Sequence, residues 1–240
     1  MEWTLVTFLW VNFMLIVASI LQMATGVSIG MLIVPFLAMI SYTLIPVPIA
    51  FASLALTIMM AYQGRKHIDI QNVPQVSLGM LFGIFVAIYI FKNIDFQYLG
   101  VIFGLFILLS VFISLKVKSF KLGAGINYGG GFVAGLMGAI AAVGGQVLAL
   151  IFQNHPLESI KSTLAFLYTI FTITMLILFY LFGEFSYGQV ISGFYMMPGF
   201  ILGFLLAPMF TKYFNPKYTK SVVLGMATFG ALALIVRGFI

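Results

Sequence analysis

The chain has no cysteine, only five carboxylates and only two histidines, His67 and His155. Each shortage removes a class of chemistry. Without thiols there are no disulfides, no thiolate metal site and no cysteine nucleophile. Asp69, Asp95 and Glu184 read as solvated loop residues, and two isolated histidines beside so few acids assemble neither the converging groups of an intramembrane enzyme nor a metal set. The expectation is therefore a protein that is not an enzyme and carries no metal or cofactor. Charged side chains are 7% of the 240 residues, against 63% hydrophobic and a mean hydropathy of +1.19, too little polar surface to coat a globule in water. The net charge of +6 comes without a long Lys/Arg run, so no nucleic-acid partner is expected.

What the chain has in quantity is long apolar runs. A membrane-spanning helix needs about 20 apolar residues to cross about 30 Å of hydrocarbon. Runs of this kind predict helices at about 3–22, 28–44, 47–63, 75–92, 97–115, 122–139, 145–153, 159–182, 190–210 and 218–239. The first lacks a basic flank and a small-residue cleavage site, so it reads as a retained span and not a signal peptide. The second carries Pro35, and the seventh is too short to cross alone. None alternates as a barrel strand does. These features predict an all-α, multi-pass protein of the cell (plasma or inner) membrane with lipid around it.

The basic residues are unevenly placed: Arg65 and Lys66 after the third run, Lys116, Lys118 and Lys121 after the fifth, and Lys212, Lys217 and Lys220 around the last connection. If each interrupted stretch is a helix pair or re-entrant pair, all three clusters share one side, with Lys92 alone opposite. The positive-inside rule makes that side cytoplasmic and puts both termini outside. Counting each interrupted stretch as one crossing sends the last cluster to the other side.

Gly79, Gly83, Lys92 and Tyr98 match Gly199, Gly203, Lys212 and Tyr218 at one constant offset, half the chain's 240 residues. Tyr62 and Gly64 match Tyr180 and Gly183 at slightly shorter offsets, and Gly30 meets Gly145 at a shorter one still. The chain thus divides into membrane repeats at 1–121 and 122–240, each an interrupted helix pair followed by three transmembrane helices. An odd number of crossings per half inverts the second repeat relative to the first. The glycine pairs could serve packing within one chain or in a homodimer.

Small residues interrupt the apolar runs twice, in LQMATGVSIGMLIVP from Leu21 to Pro35 and in GLMGAIAAVGGQVLAL from Gly135 to Leu150. A half-helix that begins inside a membrane presents N–H donors and partial positive charge to an anion. Thr25, Gly26, Ser28 and Gly30 precede or open the second helix; Gly144, Gly145 and Gln146 open the seventh. The competing reading of any one glycine is close packing alone. Gln22 and Gln146 could donate amides to an anion or bond between helices. Ser53, and Ser162 with Thr163, take similar places on the following helices and could ligate an anion or bond back to their own helix. His155, beside Asn154 in the break before Pro156, is a candidate proton carrier or a polar loop residue. Glu158 and Lys161 are spaced for an ion pair. Trp10, Tyr42, Tyr187 and Tyr213 read as interfacial aromatics.

ATGVSIGMLIVP and GFVAGLMGAIAAVGGQVLAL resemble the first- and second-repeat motifs of the TauE/SafE sulfite-exporter family, and the resemblance extends to length and duplicated layout. Ala141 and Ala142 stand where a further glycine is usual, and Leu150 where a proline is. The resemblance implies a secondary transporter of a small anion such as sulfite, a sulfonate or a related sulfur-containing organic anion, bound between the repeats. The residues expected there are Gln22, Thr25, Gly26, Ser28, Gly30, Ser53, Gly144, Gly145, Gln146, Ser162 and Thr163, with His155 for proton coupling. An anion channel and a carrier of small carboxylates remain open beside it.

Overall fold

Hydrocarbon offers the backbone no hydrogen-bonding partner, so a chain this apolar must close its peptide groups within helices. The computed structural model describes residues 3–25, 30–95, 98–116, 123–214 and 216–238. Among these there are ten α-helices and no strand: α1 Leu5–Thr25, α2 Gly30–Ile40, α3 Val47–Gln63, α4 Val73–Asn93, α5 Leu99–Lys116, α6 Ala124–Ala141, α7 Gly145–Phe152, α8 Leu157–Leu181, α9 Tyr187–Phe210 and α10 Pro216–Arg237. Seven of the described helices are long and apolar enough to cross a membrane, while α2 has 11 residues and α7 only eight. The chain is an all-α, multi-pass membrane protein.

Two pairs of helices lie close along their glycines. A Cβ on Gly79 would meet the Tyr128 carbonyl, and one on Gly135 the Met80 carbonyl, so α4 and α6 touch backbone to backbone. Gly199 lies against Asn12 and Gly203 against Ser19, which joins α9 to α1 in the same way. Contacts advance together along both pairs, so each pair is parallel. The glycines that could have served a dimer are occupied within the chain; where no water drives helices together, such close approach is what van der Waals packing requires.

These pairings fix which helix ends share a face. A Cβ on Gly64, after α3, would meet Ser162 near the start of α8, and Asn127 at the start of α6 bonds Asn72 and Gln75 at the start of α4. Arg65, Lys66 and Lys116 fall on that face. The opposite face holds the starts of α1 and α9 and the end of α10, where Arg237 donates to the Met39 carbonyl at 2.9 Å and stands over the Tyr42 ring. Lys92, at the end of α4, is on this second face. Lys118 and Lys121 lie outside the described residues, as do the side chains of Lys212, Lys217 and Lys220. The short helices do not continue their predecessors: α2 returns from the middle toward the face where α1 began, and α7 toward the face where α6 began.

Pro198 interrupts the donor ladder of α9. Asn12 of α1 meets the backbone on both sides of it, donating from Nδ2 to the Tyr195 carbonyl at 2.9 Å and accepting at Oδ1 from the Gly199 amide at 2.6 Å. Replacing this carboxamide by an isosteric hydrocarbon, Asn12→Leu, leaves both groups buried without it. The expected loss is about 1–2 kcal/mol, read from unfolding in detergent; an unchanged midpoint would show that the pair is not stabilising.

Candidate functional site

The second break is fully described. Helix α6 ends at Ala141, and Ala142 takes a left-handed conformation, φ 54° and ψ 25°. The Ala142 amide returns to the Gly138 carbonyl at 2.9 Å and the Val143 amide to that of Met137 at 3.3 Å. The chain then folds back along α6 so tightly that a Cβ on Gly144 would meet the Ala134 carbonyl. Gly145 starts α7 directly afterwards, with the first-turn amides that no helix can satisfy internally.

The two breaks touch. A Cβ on Gly30, where α2 begins, would meet the Ala142 carbonyl. Gln146 of α7 reaches Met31 of α2, Nε2 to Sδ 3.7 Å. Each break is also capped from the opposite half of the chain. Lys161 of α8 donates to the Met23 carbonyl near the end of α1 at 2.7 Å, and Ser110 of α5 donates to the Val143 carbonyl at 3.2 Å.

A cavity of about 80 Å³ lies where the breaks meet, several times the ~10–15 Å³ a single water needs. Gln22, Gly30, Ser53, Gly144 and Gly145 line it, so five of the residues singled out in the sequence come together. Thr57, Tyr168 and Thr172 line it as well, together with apolar side chains that include Met80, Phe171 and Phe200. Gln22 is 6% exposed and Thr172 4%, and neither side chain has a hydrogen-bond partner among the described residues. Ser53 donates to the Ala50 carbonyl at 2.9 Å and Thr57 to that of Leu54 at 3.3 Å, so their lone pairs rather than their protons are uncommitted. No charged side chain among the described residues lines the cavity. Polar groups buried without partners are costly, and here they face one space together with the N-termini of two short helices.

Other expected residues lie elsewhere. Gln146 is buried against Met31. Ser162 bonds back to the Glu158 carbonyl at 2.7 Å, and Thr163 accepts from the Asp69 amide at 2.9 Å; neither lines the cavity. Gly26 and Ser28 lie outside the described residues, as does the side chain of Thr25. The expected Glu158–Lys161 ion pair is replaced by two other partnerships: Lys161 caps Met23, and Glu158 Oε2 stands 3.5 Å from His67 Nε2. Asp69 is not a solvated loop residue. Its carboxylate is 14% exposed, accepts from the Gln71 amide and Asn72 Nδ2 at 3.1 and 2.8 Å, and lies 3.3 Å from His155 Nε2. His155 thereby ties the α7–α8 connection to the α3–α4 connection.

Thr172 was legible in principle. The Gly64/Gly183 register, carried back along the helix, sets Ser53 against Thr172. Measuring position from the helix start sets it against Ser162 and Thr163 instead, which fails because α8 has 25 residues and α3 only 17.

Fold and cavity together define a polytopic helical membrane protein with a buried cavity between two broken helices, lined by no charged side chain among the described residues. The family model for the sulfite exporter TauE/SafE matches residues 11–234, and the chain belongs to that family of exporter-type membrane transporters. No curated protein and no solved structure matches the chain significantly.

A hydrogen bond to a charged partner is worth about 1.5–3 kcal/mol. Gln22→Leu should therefore weaken binding of an anion held in this cavity by about ten- to a hundredfold, measured as the concentration giving half-maximal uptake into vesicles. Ser162→Ala should leave that concentration unchanged. Equal effects from the two substitutions would detach binding from the cavity.

Proposed function

We propose that the chain is a secondary transporter that carries sulfite, a sulfonate or a related small sulfur-containing anion across the cell membrane, bound in the cavity where the two breaks meet. The observation that carries this reading is the convergence of a buried Gln22 carboxamide, unpartnered among the described residues, and two half-helix starts on a space that no charged side chain among those residues lines. Each helix N-terminus is equivalent to about half a positive charge. Two of them balance about one negative charge, so a monoanion suits the site better than a dianion, whose second charge would face a desolvation cost of several kcal/mol.

The architecture we infer is a pair of inverted repeats, 1–121 and 122–240. It is supported by the cross-pairing of α1 with α9 and of α6 with α4, and by α1 and α6 starting at opposite faces. Asn12 and Asn127, which sew these two pairs, are separated by the same interval of 115 residues as Met31 and Gln146. The shared face of Arg65, Lys66 and Lys116 supports a cytoplasmic assignment for it and an outer location for both termini. Rocking of the repeats around the fixed site then opens it to one face at a time.

The deciding measurement is flux into proteoliposomes of sulfite, sulfate, thiosulfate, sulfonates and carboxylates, with and without a pH gradient. Saturable exchange of sulfite or a sulfonate is expected; conductance far beyond a turnover rate would make the protein a channel, and carboxylate selectivity would move it to another substrate class. Gly145→Val, which adds a branched side chain to a residue that lines the cavity at the start of α7, should abolish flux in folded protein, and normal flux would overturn the site.

Proton coupling through His155 is supported by its contact with Asp69, since the pair spans the two halves where they would separate. His155→Gln should remove the response of flux to an imposed pH gradient. An undiminished response would exclude the coupling role.

A further inference from the structure

Beside the cavity lies a second space. A crevice of about 200 Å³ opens between α4 and α8, lined mainly by apolar side chains such as Leu81, Ile84 and Ile170. Leu78, at its mouth, is 48% exposed, so the crevice faces the surrounding hydrocarbon. Met80 and Phe171 line both spaces and form the partition between them.

That partition is made of side chains that can yield. The Phe171 ring lies over the bare backbone of Gly138, where a Cβ would come within 2.9 Å of Cζ, so the ring keeps its place only because residue 138 has no side chain. Met80 is unbranched, with rotatable bonds and a polarizable sulfur, the side chain best able to change shape without leaving a void. The cavity lining mixes polar groups with Met80, Phe171 and Phe200, and Phe171 lies next to Thr172 on α8. An inorganic oxyanion would satisfy the polar groups and leave Met80, Phe171 and Phe200 without an apolar contact from the ligand.

We propose that the α4–α8 crevice is the tail pocket of the transport site, and that the preferred ligands are organic monoanions with a compact oxyanion head and a short unbranched apolar tail. The head lies at Gln22 and Thr172, and the tail passes between Met80 and Phe171 into the crevice. This assignment rests on the carrier reading above. It makes Met80 and Phe171 the residues that set tail selectivity, and it gives the crevice an occupant continuous with the cavity through a shared wall.

The test uses the full-length protein in proteoliposomes and competes sulfite uptake with straight-chain alkanesulfonates from methanesulfonate to hexanesulfonate, with protein-free vesicles as the partition control. Burial of each methylene in an apolar site should tighten inhibition about fourfold, until the crevice is filled and the gain stops. Leu81→Phe, which shortens the crevice from the α4 side, and Ile170→Phe, which does so from α8, should each bring the plateau to a shorter chain. Sulfite uptake with no dependence on chain length would overturn the tail pocket and leave the carrier reading standing. A chain-length gain that both variants leave untouched would place the tail elsewhere and overturn it too. Absence of uptake of any anion by the unaltered protein would instead sink the carrier reading, and the tail pocket with it.

Discussion

Everything in this structure depends on how two breaks in the backbone are made tolerable inside hydrocarbon. An unpaired peptide group costs several kcal/mol there, so irregular chain survives at membrane depth only when it is buried in protein or lines a polar space. Both solutions operate. The carbonyls that the breaks expose are met from the other half of the chain, Met23 by Lys161 and Val143 by Ser110. The groups left over, the first-turn amides of α7 and the carboxamide of Gln22, border the cavity. The same constraint that forces capping therefore also concentrates the donors an anion needs.

Reciprocal capping has a mechanical consequence. Because each half supplies the cap for the other's break, each break would lose a capping hydrogen bond in an isolated half. The parallel pairs α1–α9 and α4–α6 repeat this logic on a larger scale, since each joins a helix before position 121 to one after it. Glycines permit the approach, and Asn12 and Asn127 add the polar stitches. A lysine at Lys161 is a strong choice for its cap: its long stem crosses apolar surface and delivers the ammonium to a carbonyl at a helix C-terminus, where a positive charge is favoured.

Most of the helical layout was legible in the sequence, because apolar runs of spanning length are separated by short polar connections and the bilayer permits little else. Even the eight-residue α7 was marked, by Gly144 and Gly145 before it and Pro156 after it. The site was legible where local chemistry was the signal: glycines at the breaks, and Gln22 and Ser53 as polar residues within apolar runs. It was illegible where the partner lies far along the chain. Nothing near Asp69 announces that His155 and Thr163 will close around it, and nothing near Asn12 announces Pro198. Lys161 and Glu158 show the opposite failure, a correct local spacing whose side chains reach distant partners instead, the Met23 carbonyl and His67.

Ala142 explains why the second break stays broken. An alanine in the left-handed region costs about 1–2 kcal/mol, and a glycine would adopt it freely. The cost falls where α6 stops short of α7; a continuous helix there would pair the amide of Gly145 with an earlier carbonyl and remove it from the cavity. Gly30 opposite must stay bare whatever residue stands at 142: a Cβ there would run into the backbone carbonyl of Ala142 and sit 3.2 Å from its Cβ. The first break therefore needs its glycine because of the carbonyl that the second break turns toward it, and the methyl of Ala142 is a lesser, secondary contact in the same place.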